Sequence, residues 1–202
     1  MKPSLLASTA ALLFCSTVAR AQTTMGEGHS GFHAAVGLGY GSVALNCSEC
    51  GGERVDNPAI MLRFGGAVRP GIVLSGELTG WSKSAEGSTT NISWANFVAQ
   101  FYPEQSRRLY LKTGIGVGRI DANIAIPDGR ADTPVVVMQA AATSLGLEAG
   151  FGYDVRVKRG FSLTPFADLL YSTNADVKVN GSSSGFRLGA TLLHFGLAAS
   201  WR

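Results

Sequence analysis

The segment Leu109-Tyr110-Leu111-Lys112-Thr113-Gly114-Ile115-Gly116-Val117-Gly118 decides the fold, because most of its apolar residues recur at every second position. One face of this segment carries Leu109, Leu111, Ile115 and Val117. The other face carries Tyr110, Lys112 and three glycines. A period of two is the geometry of a β-strand, whose successive side chains point to opposite faces of the sheet. Only the first face of this strand suits contact with hydrocarbon.

Eight segments of the chain alternate in this way: residues 31–43, 57–68, 71–81, 92–102, 108–120, 143–155, 161–172 and 192–202. The short connections are 69–70, 103–107 and 156–160, and they alternate with the long connections 46–55, 82–91, 121–142 and 173–185. Bacterial outer-membrane barrels have an even number of strands, with short turns on one side and long loops on the other. The sequence therefore predicts an all-β fold, an eight-stranded antiparallel up-and-down transmembrane β-barrel. A soluble barrel such as a lipocalin has no reason to alternate its loop lengths.

The composition agrees with a membrane or secreted protein. Of the 202 residues, 46% are hydrophobic, 15% are charged and 26 are Gly, which is too apolar for a disordered chain and too weakly charged for an ordinary soluble surface. The formal net charge is +3, but it includes Lys2 and Arg20, which lie in a segment that we expect to be removed. The balance of about one positive charge that remains predicts no nucleic-acid partner.

Residues 1–21 are typical of an export signal. Lys2 is followed by an apolar run over 5–19 and by Ala19-Arg20-Ala21, which matches a signal peptidase site. The alternative is a membrane anchor, but only 17 residues separate Lys2 from Arg20, which is short for a spanning helix. We therefore predict a signal peptide over 1–21 and one barrel domain over 22–202. No later segment has the composition of a membrane-spanning helix.

Three segments resemble the OmpA/OmpX-like outer-membrane β-barrel domain family: strand 109–118, Phe161-Ser162-Leu163-Thr164-Pro165-Phe166, and the closing strand. The closing strand is the most specific, because His194, Gly196, Ala199 and Trp201 match the family's assembly signal of a polar, a glycine, an apolar and an aromatic residue at set spacing. The resemblance implies recognition by the barrel-insertion machinery and a location among the lipids of the bacterial outer membrane.

The polar face of the predicted strands carries a charge cluster of Arg63, Glu77, Lys112, Glu148 and Asp168. The lumen of an eight-stranded barrel is just wide enough to be filled by side chains. Two cations and three anions in that space should pair, because an unpaired buried charge is costly. The cluster is therefore interpreted as a structural plug. A proton or ion pathway, or a general acid/base site, is the functional alternative.

Cys47 and Cys50 are the cysteines that remain after signal removal. No second CxxC or HxxxH accompanies them to complete a metal site, and no βαβ pattern supports a redox active site. In an exported protein we predict a local disulfide between the two. We expect no cofactor and no metal.

The predicted function is that of a non-enzymatic, monomeric outer-membrane barrel with a plugged lumen and a structural or loop-mediated interaction role. A narrow porin and a lipid-modifying hydrolase are the alternatives. Deacylases of that class carry His and Ser two residues apart, a spacing that His29, His33 and His194 do not match. Strict alternation places Trp81, Trp94 and Tyr102 inward, so either bulges turn these rings outward or the rings fill the barrel.

Overall fold

The computed structural model describes residues 31–47, 53–85, 88–103, 108–126 and 136–202. The predicted signal peptide, residues 1–21, lies outside the described residues. The described chain is built of strands: β1 (Phe32–Asn46), β2 (Arg54–Arg69), β3 (Ile72–Ala85), β4 (Ser88–Phe101), β5 (Leu109–Ile126), β6 (Val136–Tyr153), β7 (Val155–Lys158), β8 (Phe161–Ser172), β9 (Ala175–Val179) and β10 (Ser182–Trp201). No helix in these residues has the length and apolarity needed to cross a membrane.

The strands form one closed antiparallel sheet. Strands β1 to β6 pair in chain order, and β10 returns to pair with β1. This seam runs from Ala34 opposite Trp201 to Asn46 opposite Gly189. Because the last strand pairs with the first, the sheet has no free edge along the seam, which is how a β-structure satisfies its backbone groups in lipid.

Ten strand segments make eight passes of the described chain. Asp154 separates β6 from β7, and β7 pairs with β8. Residues 173–174 separate β8 from β9, and both of these strands lie between β6 and β10. Strands β6 and β7 are therefore one interrupted pass, and β8 and β9 are the next. The predicted eight-stranded, up-and-down antiparallel barrel is confirmed.

The two ends of the barrel differ. At one end, here called the turn end, β1 begins, β10 ends, and short turns join β2 to β3 and β7 to β8. Gly71 and Gly160 lie in these turns at φ values of 84° and 75°. Such positive φ values favour glycine, because a β-carbon is strained there. At the opposite end, here called the hairpin end, the strands continue as long hairpins.

The outer surface of the barrel is apolar. Side chains that are half exposed or more include Phe32, Leu38, Ile60, Phe64, Leu78, Phe97, Leu111, Ile115, Phe151, Phe195 and Leu197. Strands β4, β6 and β10 end at the turn end in the outward-facing Phe101, Tyr153 and Trp201. An apolar belt bordered by aromatic rings is the arrangement expected where strands meet a bilayer and its interface.

The strands are longer than the sequence predicts, and the prediction of long irregular loops at the hairpin end is partly wrong. Residues 82–91, predicted as a loop, belong to β3 and β4 on both sides of 86–87. Hydroxyl groups face each other across this hairpin, with the oxygens of Ser84 and Thr89 3.0 Å apart. Residues 173–185 contain β9 and a two-residue turn at Asn180-Gly181. Paired strands continue because each hairpin satisfies its own backbone groups outside lipid.

Trp81, Trp94 and Tyr102 point into the barrel, as strict alternation requires. Each ring is at most 5% exposed. The indole nitrogen of Trp81 on β3 donates a hydrogen bond to the carbonyl oxygen of Gly41 on β1, at 3.1 Å. The rings therefore fill the interior, and no bulge turns them towards lipid.

Candidate functional site

The five charged side chains of the predicted cluster meet in the middle of the lumen. They come from five strands: Arg63 from β2, Glu77 from β3, Lys112 from β5, Glu148 from β6 and Asp168 from β8. Sheet register brings them to one level, because Arg63 lies opposite Glu77, and both Lys112 and Asp168 lie opposite Gly150. All five are at most 4% exposed.

Lys112 is the centre of the network. Its Nζ atom donates hydrogen bonds to Oε1 and Oε2 of Glu77 at 2.8 and 3.0 Å. The same atom forms ion pairs with Oδ2 of Asp168 at 2.8 Å and with Glu148. One ammonium group therefore contacts three carboxylates, with hydrogen bonds to Glu77 and ion pairs to Glu148 and Asp168.

Arg63 is held on the other side of Glu77. Its Nε atom donates to Oε2 of Glu77 at 2.6 Å. Its guanidinium lies 5.6 Å from the centre of the Tyr110 ring, a cation–π distance. The ion pairs thus run without a break from Arg63 through Glu77 to Lys112 and on to the carboxylates of β6 and β8.

Neutral polar residues complete the network, and sequence reasoning did not identify them. Asn96 donates from Nδ2 to Oε2 of Glu148 at 2.8 Å. The hydroxyl of Thr79 donates to Oε1 of Glu77 at 3.4 Å. Both residues occupy inward positions of their strands, so a polar side chain at an inward position was the signal in the sequence.

Gly150 makes room for the carboxylate of Asp168. A β-carbon at this position would contact Oδ1 of Asp168 and would lie 2.8 Å from the carbonyl oxygen of Ala167. The inward glycine therefore follows from the crowding of long charged side chains in a narrow lumen.

The carboxylates of Glu77, Glu148 and Asp168 are close enough to hold a metal ion, since one oxygen from each lies within 4.8 Å of the others. The ammonium of Lys112 contacts all three and takes the position that a cation would occupy. With every group ionised, two positive charges face three negative ones. The three carboxylates therefore already have a cation between them, the ammonium group of Lys112.

A layer of apolar side chains covers the cluster towards the hairpin end. It consists of Val43, Ala59, Trp81, Ile92, Trp94, Ile120, Leu170, Ala190 and Leu192, all at most 5% exposed. Val73, Tyr102 and Tyr110 form a smaller buried group towards the turn end. The charges are therefore buried between these two groups of side chains, and burial strengthens their mutual attraction and raises the penalty for losing a partner.

Asp154 and Arg202 close the lumen at the turn end. Arg202, the last residue of the chain, forms an ion pair with Asp154. Asp154 also accepts hydrogen bonds from the hydroxyls of Tyr102 at 3.1 Å and Thr164 at 2.6 Å. Burial and the neighbouring Asp154 carboxylate raise the pKa of Tyr102 above its usual range, so the phenol stays a donor. In the sequence, Arg202 is the last residue of the predicted segment 192–202, and no local pattern marks Asp154 as its partner.

The residues of the predicted assembly signal lie along the seam. The His194 ring is buried in the lumen, edge-on to the ring of Phe166 with centroids 4.8 Å apart. Gly196 lies opposite Gly39, and Ala199 lies opposite Val36. Trp201 faces outward and contacts the ring of Phe161. Recognition of these residues by the insertion machinery stays a prediction.

Cys47, immediately after β1, is disulfide-bonded. Cys50, its predicted partner, lies outside the described residues. We expect that replacing both cysteines with Ser leaves insertion of the barrel intact, because a ring this small stabilises by at most about 2 kcal/mol. Heat-modifiable migration of the membrane-extracted variant would check this. A variant that fails to fold would mean that the bridge, or a metal at these thiols, holds the barrel together.

No protein family model and no curated protein sequence matches the chain. The fold does match solved structures of outer-membrane proteins. The attachment invasion locus protein Ail of Yersinia pestis is 14% identical, with a TM-score of 0.54 over 85% of this chain and 99% of that chain. Neisserial surface protein A is 14% identical, with a TM-score of 0.52 over 87% and 99%. A major outer membrane protein from Thermus thermophilus is 11% identical, with a TM-score of 0.52 over 84% and 98%. At these identities the likeness shows the fold, which is that of an outer-membrane β-barrel.

Proposed function

We propose that this protein is exported by its signal peptide to the bacterial outer membrane and serves there as a monomeric, non-enzymatic barrel with a closed lumen. Its turn end faces the periplasm, and its hairpin end presents an interaction surface to the outside. The apolar outer belt and the aromatic strand ends support the membrane location.

One observation carries the closed lumen: the unbroken chain of ion pairs from Arg63 to Asp168 across the middle of the barrel. Its members are buried on five strands, with the apolar layer towards the hairpin end and Val73, Tyr102 and Tyr110 towards the turn end. A water-filled path would hydrate these groups, whereas their side chains have almost no contact with solvent. The same burial argues against a general acid/base site, because a substrate has no route to the carboxylates.

The closed lumen predicts little steady ion conductance. Purified protein in a planar lipid bilayer should give no stable open channel, because the side chains leave no continuous water path. A general trimeric porin inserted in the same bilayer provides the positive control. A large and stable single-channel conductance would contradict the plug and favour the narrow-porin alternative.

The orientation predicts which peptide bonds a protease reaches on whole cells. Trypsin added to intact cells should cut at Arg130, in the connection between β5 and β6, which lies outside the described residues. Bonds after Arg69 and Lys158 should survive, because they lie at the turn end and face the periplasm. Peptide mass spectrometry distinguishes these sites. Cleavage at Arg69 or Lys158 with Arg130 intact would reverse the orientation.

The length of the strands supports an interaction role for the hairpin end. Strands β5 and β6 each have 18 residues, whereas about ten suffice to cross a bilayer. The extra length continues as paired sheet, as far as Ile126 opposite Val136. A surface made of paired strands has less conformational entropy to lose on binding a partner than an irregular loop has.

A further inference from the structure

Strands β2 and β3 separate at the hairpin end. Their pairing ends at Ala59 opposite Trp81, although β2 begins at Arg54 and β3 continues to Ala85. Beyond that point β2 pairs with β1, and β3 pairs with β4 as far as Ala85 opposite Ser88. Pro58, which has no backbone N–H to donate, lies one residue beyond the last pair. Beyond a side-chain hydrogen bond from Asn57 to the carbonyl oxygen of Ser82, the sheet therefore splits into two arms, β1–β2 and β3–β4.

A cleft of about 390 Å³ lies between these arms, a volume within the range of small-molecule sites. Its walls and floor include Val43, Val55, Trp81 and Ile92. The indole N–H of Trp81 is already bonded to the carbonyl of Gly41, so the ring offers the cleft an apolar surface. The floor belongs to the apolar layer that covers the charge cluster, because Val43, Trp81 and Ile92 are members of that layer.

The rim of the cleft carries one charge of each sign, Glu53 on the β1–β2 arm and Lys83 on the β3–β4 arm. A ligand with a formal charge would be attracted by one of these groups and repelled by the other. A neutral group that both donates and accepts a hydrogen bond suits both. The cleft thus combines apolar walls with a rim that favours a neutral polar group.

We propose that this cleft binds a small neutral amphiphile from outside the cell, with an aromatic or alkyl body and one hydroxyl or similar group. The body packs on Trp81 between the two arms, and the hydroxyl lies at the rim between Glu53 and Lys83. The ligand stops at the apolar layer and does not cross the barrel. The proposal rests on the proposed orientation, which places the hairpin end outside, but not on the charge cluster, since the ligand contacts none of the five charged residues.

The probe for this site is 1-naphthol, which is neutral at neutral pH and perturbs nearby indole resonances through its ring current. The chain has 3 Trp, so the protein labelled with ¹⁵N at the indoles gives one resonance for each. In lipid nanodiscs we expect a saturable shift of the Trp81 resonance. Trp201, which faces lipid at the turn end, reports simple partitioning into the bilayer. Shifts of Trp81 that are linear and no larger than those of Trp201 would overturn the proposal.

Adjacent threonines give a matched pair of variants. Thr90 lines the cleft, whereas the neighbouring Thr89 points away from it. Thr90→Phe should weaken 1-naphthol binding at least about tenfold by filling the cleft, and Thr89→Phe should leave it unchanged. Equal binding by both variants would place the probe elsewhere.

Charged analogues test the chemical class. We expect 1-naphthalenesulfonate and 1-naphthylmethylammonium each to bind at least about tenfold more weakly than 1-naphthol, because attraction and repulsion at the rim offset each other while the ion gives up hydration in an apolar cleft. Binding of either ion as tight as that of 1-naphthol would refute the neutral class. The Trp81 resonance is also compared, without any probe, between lipid nanodiscs and a fluorinated surfactant. A difference between the two would assign the cleft to a lipid acyl chain instead of a free ligand.

Discussion

Replacing Lys112 with Met is expected to lower the free energy of unfolding by about 3–5 kcal/mol, the range found when one partner of a buried ion pair is removed. Lys112 is the group that neutralises Glu77, Glu148 and Asp168 together. Methionine has a similar volume but no charge, so Arg63 alone would face three buried carboxylates. Equilibrium unfolding in urea from lipid vesicles measures the loss.

Two comparisons separate charge imbalance from packing. Lys178→Met removes an exposed lysine on β9 and should change stability by less than about 0.5 kcal/mol. Adding Glu148→Gln and Asp168→Asn to Lys112→Met leaves Arg63 and Glu77 as a balanced pair, so the triple variant should be more stable than Lys112→Met alone. A Lys112→Met variant as stable as the wild type would show that water already reaches the cluster, and would also remove the support for the closed lumen.

The five charged residues could be predicted from the sequence because the signal is local. A period of two assigns each residue to a face, and the distance from the nearest short turn sets its depth. The same rule points Trp81 and Trp94 inward, but the sequence left open whether bulges turn these rings outward, and the structure places both inside the barrel. Which inward side chains contact each other could not be predicted in this way. The contact between Asn96 and Glu148 depends on how strands β4 to β6 are shifted along one another, and local alternation does not determine that shift.

The ends of the strands were harder to predict than their middles. Outside the bilayer neither face must be apolar, so the alternation fades in the Ser- and Thr-rich hairpin of β3 and β4 although the strands continue. The turn at Asn180-Gly181 had a signal that went unused. Asn-Gly is the pair favoured in two-residue hairpin turns, where both residues need positive φ, and here φ is 48° and 86°. The ion pair of Arg202 with Asp154 joins residues 48 positions apart and had no local signal.

Gly196→Ala is expected to destabilise the barrel by about 3 kcal/mol, the upper part of the range for overpacking, because the added carbon meets backbone and not a flexible side chain. At the seam between β1 and β10, Gly196 lies opposite Gly39. A β-carbon on Gly196 would lie 2.6 Å from the Cα atom of Gly39 and would contact the carbonyl oxygen of Leu38. These two strands close the sheet, so the clash forces apart the pairing on which closure depends. The same urea titration, with heat-modifiable migration as a readout of the closed barrel, measures the effect.

Gly76→Ala is the matched control, because it adds the same carbon to an outward-facing glycine of β3 with no atom within 4 Å. There the added side chain restricts the unfolded chain without a clash, so stability should stay the same or rise by up to about 1 kcal/mol. If Gly196→Ala lowers stability while Gly76→Ala does not, the loss comes from the close approach of the strands at the seam and not from the loss of a glycine as such. If Gly196→Ala closes and unfolds like Gly76→Ala, the two strands do not approach as closely as described. The requirement for a small residue in the assembly signal would then come from recognition during insertion and not from packing in the finished barrel.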